Sequence, residues 1–298
     1  MSITNAVIPV AGLGTRLLPA TKSQPKEMLP VGKRPVVQYV VEELERNGFR
    51  RILFITGANK YSIENHFDMD PVLVRHLRES GKEELLAELQ FERGNLHFFY
   101  TRQKMQQGLG DAVLHAEEFS GVQPFAVALG DAILGLHARS RTLSHMKQLF
   151  MYQPCAAVVA FEEVPMEETS RYGIADPLGQ PRAGEGFVLR DIVEKPAPGD
   201  APSRLAVCAR YIFSSQIFPA LHDTKPGKGG EIQLTDAIRG LIRNGEKVIG
   251  VQLPSDEKRY DIGNFESYFK AFAEFALSDP EHGEALRAHV RSLLDETA

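Results

Sequence analysis

Cysteine is scarce. Cys155 and Cys208 are the only two in 298 residues, too few for a disulfide framework, and each lies inside an apolar run, so both are expected as buried free thiols. No window approaches the roughly 18 consecutive apolar residues that a membrane-crossing helix needs. A basic excess is missing too: 34 Lys and Arg stand against 39 Asp and Glu, a formal net charge of −5, and the cations are scattered. Nucleic-acid surfaces carry a basic patch or stripe, so this balance argues against such a partner. It leaves open a phosphorylated small molecule, which needs only two or three well-placed cations. The nine histidines form no ligand-spaced cluster, and no Ser/His/Asp arrangement is visible. The first ten residues have neither a basic start nor a long apolar stretch, which sets the expectation of no secretory leader and a cytoplasmic home. Internal repeats and low-complexity segments are absent.

What is present is an average globular composition, 43% apolar and 24% charged, sufficient for a sizeable core. Short apolar runs at 6–10, 51–56, 96–100 and 125–129 read as strands bounded by turn signals. Between the first two, 35–47 reads as a helix, with Pro35 at its start and Gly48 past its end. Its apolar positions Val36, Val37, Val40, Val41 and Leu44 recur at three- and four-residue spacing and mark one buried face. A second helix is expected over 111–119. Strands alternating with helices imply an α/β fold with a mostly parallel, Rossmann-like central sheet flanked by helices. The middle changes character: runs at 155–161, 187–194 and 206–213 read as strands joined by loops such as 176–186 and 196–202, an antiparallel extension. Helix, strand and helix then follow at 232–244, 247–253 and 265–277, and the tail after Pro280 reads as an amphipathic helix.

The most informative stretch follows the first strand: Ala11-Gly12-Leu13-Gly14-Thr15-Arg16-Leu17-Leu18-Pro19. Ligands of open α/β sheets bind at the carboxyl ends of strands, where this loop lies. Glycines let backbone N–H groups approach a phosphate. A dinucleotide fingerprint needs a third small residue where this chain has Leu17, and a P-loop needs a Gly-Lys-Ser/Thr ending that is absent. By spacing alone a tight turn with a surface arginine fits as well. The next segment, Pro25-Lys26-Glu27-Met28-Leu29-Pro30-Val31, sets a lysine between two prolines in an extended stretch able to project Lys26 back at a phosphate. Asp131 stands at the carboxyl end of the fourth strand and Asp261 ahead of the 265–277 helix. Position alone allows both to be turn or capping aspartates, Lys195 a surface lysine, and Gln103 a polar strand-end residue.

Read together, Gly-x-Gly-Thr-Arg-x-x-Pro and Pro-Lys-Glu-Met-Leu-Pro-Val resemble the signature of bacterial UTP–glucose-1-phosphate uridylyltransferases. The resemblance continues in order through Glu64-Asn65-His66-Phe67-Asp68, Thr101-Arg102-Gln103, Gly108-Leu109-Gly110, Glu194-Lys195-Pro196 and Gly229-Gly230-Glu231-Ile232-Gln233-Leu234-Thr235-Asp236-Ala237. It implies a magnesium-dependent enzyme joining UTP and glucose 1-phosphate. It also implies one nucleotidyltransferase domain over 1–298: a nucleotide half (1–135), a sugar half (136–265) containing the antiparallel extension, and a C-terminal helical segment (266–298) at the interface of a homodimer or homotetramer.

The resemblance further implies roles. Arg16, Lys26 and Lys195 grip phosphate. Ala11, Gly12, Gly14, Thr15, Glu27, Gln103, Gly108 and Asp131 surround the nucleotide, with base choice falling to Ala11, Gly12, Gln103 and Gly108. Glu194 takes sugar hydroxyls, Lys195 the sugar phosphate, and Gly173 admits the sugar against the backbone. Asp131 and Asp261 hold the magnesium ion, a cation suited to one or two carboxylates with phosphates and water completing an octahedron. One departure stands out: where the family usually carries histidine after Gly108-Leu109-Gly110, this chain has Asp111, an added negative charge expected to alter nucleotide affinity or preference.

Overall fold

The computed structural model describes residues 3–93 and 95–297. The chain begins with strand β1 (Asn5–Pro9), a small hairpin of β2 (Pro30–Val31) and β3 (Arg34–Pro35), and helix α1 (Val36–Arg46). Then come β4 (Arg51–Thr56), α2 (Tyr61–Phe67), α3 (Pro71–Glu79), β5 (His97–Arg102), α4 (Leu109–Leu114) and α5 (Glu117–Ser120). β6 (Phe125–Ala128), β7 (Ala132–Leu134), α6 (Thr142–Tyr152), β8 (Ala157–Glu163), β9 (Gly173–Pro177), β10 (Gly186–Glu194) and β11 (Leu205–Phe213) fill the middle. The last part holds α7 (Ile217–Asp223), α8 (Leu234–Arg243), β12 (Val248–Gln252), β13 (Arg259–Asp261), α9 (Phe265–Leu277) and α10 (Gly283–Thr297).

Nine strands form one sheet in the order β5-β4-β1-β6-β11-β8-β12-β10-β9. The first four pair in parallel, as short apolar runs separated by crossover helices must. Antiparallel character is not confined to one end. β11 runs antiparallel between β6 and β8, in the centre of the sheet, and β10 pairs antiparallel with β12 and β9 at the far edge. Alternate strand residues go to opposite faces. Val7 therefore joins a core packed by α4, α7 and α8, while Ala6 and Ile8 join another packed by α1, α2 and α6. Val37, Val40, Val41 and Leu44 of α1 are fully or almost fully buried in the second core, each burial contributing about 1.5–3 kcal/mol. No helix among the described residues is long and apolar enough to cross a membrane.

Two expectations need correction. The helix read over 111–119 is two: the His115 ring takes the Asp111 carbonyl at 2.9 Å, the backbone N–H groups of His115 and Ala116 turn instead to Ala112 and Val113, and the chain tightens and breaks before α5. The stretch 176–186 is not all loop, because β9 runs to Pro177 along the β10 edge, where the ladder rather than local propensity holds it. Both cysteines are free, Cys208 buried and Cys155 half-buried; burial pushes the Cys155 thiol up to about 11.

Candidate active site

A cavity of about 710 Å³ opens at the carboxyl ends of the central strands. Arg16, Asp131, Gly173, Glu194, Lys195 and Asp261, all singled out from sequence, line it together. Pairing of β7 with β13 explains how two acids so far apart in sequence meet. Asp261 lies opposite Ala132, and the Ile262 N–H donates to the Asp131 carbonyl at 3.2 Å. Arg210, wholly buried, braces the same corner: its Nη2 donates to Glu43 Oε2 of α1 at 2.6 Å and to the Ala132 carbonyl at 3.0 Å.

The opposite wall is built by the β9–β10 ladder, whose register places Glu194 across from Gly173. A Cβ on Gly173 would meet Thr235 Oγ1 at 2.7 Å, so glycine here is required by the packing of α8 as well as by the cavity. Lys195 follows with φ 46°, a left-handed backbone that L-residues adopt at a cost of about 1–2 kcal/mol. The Lys195 N–H donates to the Tyr172 carbonyl at 2.9 Å, and Nζ pairs with Glu194 Oε1 at 3.0 Å. β11 contributes a bulge between Val207 and Tyr211, where Ala209, φ 55°, faces the cavity. Backbone strain of this kind gathers where a site needs side chains in set directions.

On the nucleotide side expected from sequence, Ala11 is buried while Gly12, Thr15 and Arg16 are exposed along the loop, which turns at Gly14. The Lys26 side chain crosses close to Gly12, its Cε 3.8 Å from where a Cβ would stand, and its ammonium salt-bridges Asp131. The Asp131 charge holds Lys26 well above its ordinary pKa, against the opposing pull of burial. Burial works to raise Asp131, but the Lys26 charge and hydrogen bond outweigh it and keep that carboxyl below the usual range. Asp261 goes the other way: burial first and the neighbouring Asp131 charge second push it up. Two carboxylates lining one cavity give a divalent cation the ligands it needs. Hard oxygen donors without Cys or His suit magnesium. Asp279, Glu281 and His282 also bring three donors within 4.8 Å, but Lys33 already pairs with Glu281 at 2.5 Å and with Asp279 at 3.9 Å.

Glu27, expected at the nucleotide, is 1% exposed and gives its carboxylate to Lys60 Nζ at 3.0 Å, so it reaches the cavity only through cations. Burial pushes its carboxyl up while Lys60 and Lys26 oppose that shift. Gln103 and Gly108 come together beside α4, Gln103 Nε2 donating to the Gly108 carbonyl at 3.1 Å and to Asp111 Oδ2 at 2.7 Å. Gly108 has φ 103°, and a Cβ there would strike the Ile232 carbonyl at 2.6 Å.

Arg259 was not singled out, yet it lines the cavity beside Asp261, pairs with Glu162 at 2.5 Å and lies over the Tyr172 ring at 4.7 Å. Burial opposes its charge, but Glu162 outweighs it and keeps the guanidinium protonated. A signal existed: Arg259 and Asp261 are two apart on one strand and so share a face.

Comparison with known proteins agrees with this geometry. The family model described as Nucleotidyl transferase matches residues 5–277. A UTP–glucose-1-phosphate uridylyltransferase of Staphylococcus haemolyticus is 42% identical over 292 residues, covering 98% of each chain. A UTP-bound UGPase from Acinetobacter baumannii superposes with a TM-score of 0.87 at 36% identity, covering 98% of this chain and 100% of the other. A UDP-glucose pyrophosphorylase complexed with UDP-glucose gives 0.81 at 39% identity, over 92% of this chain and 98% of the other. With Arg16 of the glycine loop, Lys195 and the two acids lining one cavity, Lys26 paired with Asp131, and these matches spanning almost its whole length, the chain belongs to the nucleotidyl transferase family.

Proposed function

We propose that this chain transfers UMP from UTP to α-D-glucose 1-phosphate, giving UDP-glucose and pyrophosphate. The observation that carries this reading is the convergence of Arg16, Asp131, Glu194, Lys195 and Asp261 on one cavity. Relatives bearing that activity in their names at 42% identity, and a UTP-bound relative, support it. A phosphate oxygen of the sugar phosphate attacks the α-phosphorus of UTP, and the bond from that phosphorus to the bridging oxygen breaks, releasing pyrophosphate in line. The attacking oxygen is already ionised, so no general base is required. The protein's task is alignment and charge neutralisation.

In this scheme the nucleotide half (1–135) and sugar half (136–265) meet along the cavity. Arg16 and Lys26 neutralise the triphosphate, with Glu27 orienting Lys26 and Lys60. Ala11, Gly12, Gly14, Thr15, Gln103 and Gly108 take the base and its phosphates by backbone and amide contacts. Glu194 accepts from sugar hydroxyls, while Lys195, a compact ammonium, holds the sugar phosphate. Asp131 and Asp261 would hold magnesium, which supplies neutralisation at the α-phosphoryl group. The exposed aromatic edge of α9, Phe269 and Phe272, supports assembly as a homodimer or homotetramer.

Pyrophosphate release measured with glucose 1-phosphate and each of UTP, dTTP, CTP, ATP and GTP tests the proposal. UTP is expected to give the highest kcat/KM. A higher value with another nucleotide reassigns the base, and no release with any of them ends the reading.

A pH dependence follows from Asp261. A folded-state pKa raised by burial and by Asp131 means that protons compete with a cation over a window above the usual carboxylate range. Magnesium affinity, measured calorimetrically with UTP present, is therefore expected to rise with pH through that window. Asp261→Asn should weaken binding and flatten the dependence; an unchanged slope would remove Asp261 from the metal site.

A further inference from the structure

Asp111 is the residue at which this sequence leaves the pattern it otherwise follows, and the structure gives it a partner. Gln103 follows β5, its backbone N–H donating to the Thr56 carbonyl at 2.9 Å, and the residue is 4% exposed. Both hydrogens of its side-chain amide are taken, one by the Gly108 carbonyl at 3.1 Å and one by Asp111 Oδ2 at 2.7 Å. An amide carbonyl and an ionised carboxylate are acceptors only. Turning the Gln103 amide over would set its oxygen against two other oxygens, so chemistry fixes one orientation. With Nε2 committed, Oε1 is the remaining polar atom, and among the described residues no group donates to it.

We propose that Asp111 is a positioning residue that sets base preference: by holding the Gln103 amide in one orientation, it makes Gln103 an acceptor toward the base. Pyrimidines that carry a ring N3–H, uracil and thymine, meet a matching partner. Cytosine presents a lone pair at N3 and meets repulsion. The Gly108 carbonyl alone does not enforce this, because one hydrogen bond leaves the amide free to turn and offer Nε2 to an incoming acceptor. Charge assistance from the carboxylate makes the Asp111 bond the stronger of the two. The inference rests on the proposed uridylyl transfer with Gln103 at the base.

The test is the ratio of kcat/KM for UTP to that for CTP, each with glucose 1-phosphate, in wild type, Asp111→Ala and Asp111→Asn. In Asp111→Ala the ratio is expected to fall about tenfold, the scale of one lost charge-assisted hydrogen bond in a recognition site. Asp111→Asn, whose side-chain oxygen accepts the same hydrogen bond, should retain most of the preference. A purely structural role would lower both nucleotides together, and an unchanged ratio in Asp111→Ala overturns the proposal. If that variant does not fold, Asp111→Leu keeps the volume without the acceptor and is read in the same way. Wild type that uses CTP as well as UTP overturns the functional reading beneath. Wild type that prefers UTP, with the preference intact in the variants, overturns this inference alone.

Discussion

Lys195→Ala is expected to lower turnover by on the order of 10²–10³, the effect of removing one preorganised group that meets developing transition-state charge. Lys195 lines the cavity on the side proposed for the sugar, beside Glu194 at 3.0 Å, which lies across the ladder from Gly173. The loss should therefore appear in kcat and in KM for glucose 1-phosphate, with the KM for UTP little changed. Stability should not collapse, because the ammonium is partly exposed and its pairing with Glu194 is a solvated contact of small worth. A second substitution separates backbone from side chain. Since residue 195 holds φ 46°, Lys195→Gly should be more stable than Lys195→Ala by about 1 kcal/mol while being equally slow. Equal stability of the two would deny the strained backbone, and turnover within about threefold of wild type in either would take Lys195 out of the chemistry.

What could be read from sequence near this lysine, and what could not, is a matter of range. Strands such as Arg51–Thr56 were legible because a short apolar run between turn residues has few other ways to bury itself. Asp131 and Asp261 stand out in the sequence because they end or follow strands, where open sheets place their ligands, and the structure brings both to one cavity. Contacts joining distant segments left no local trace. Lys60 finds Glu27, Arg210 finds Glu43 and Arg259 finds Glu162 only after the sheet has formed. β9 was hidden for a related reason: a five-residue segment containing Gly, Asp and Pro has little intrinsic strand preference and exists as a strand because β10 offers an open edge. The expected helix over 111–119 failed at a single side chain, His115, which competes for a backbone carbonyl that the helix needed. Glu27, a motif position whose sequence reading left open a nucleotide contact or a neighbouring cation, has its buried carboxylate on the cation Lys60.

If Asp131 holds magnesium as proposed, Asp131→Asn and Asp131→Ala should both remove the magnesium-dependent rate, by on the order of 10³ or more, since a neutral side chain gives up the charge on which that binding would depend. They differ in what happens to Lys26. Asparagine still accepts from the ammonium; alanine strands a mostly buried cation that Asp131 had neutralised. Removing one partner of a fully buried pair costs about 3–5 kcal/mol. Both side chains here keep about a fifth of their exposure, so roughly 1–3 kcal/mol is the expected cost for Asp131→Ala, with Asp131→Asn nearer wild type. The sign with pH follows from the shift. Asp131 is held below its ordinary pKa, so its stabilisation is fully present above the unfolded value near ~4 and fades as pH falls through the lower folded value. The stability gap between wild type and Asp131→Ala should accordingly be widest at neutral pH and close on acidification. Denaturation midpoints measured from neutral to strongly acidic pH, beside a magnesium titration of pyrophosphate release, read both halves of the argument. A gap that widens in acid would mean that Lys26 is not the partner that matters, and a wild-type metal response in Asp131→Asn would move the cation elsewhere.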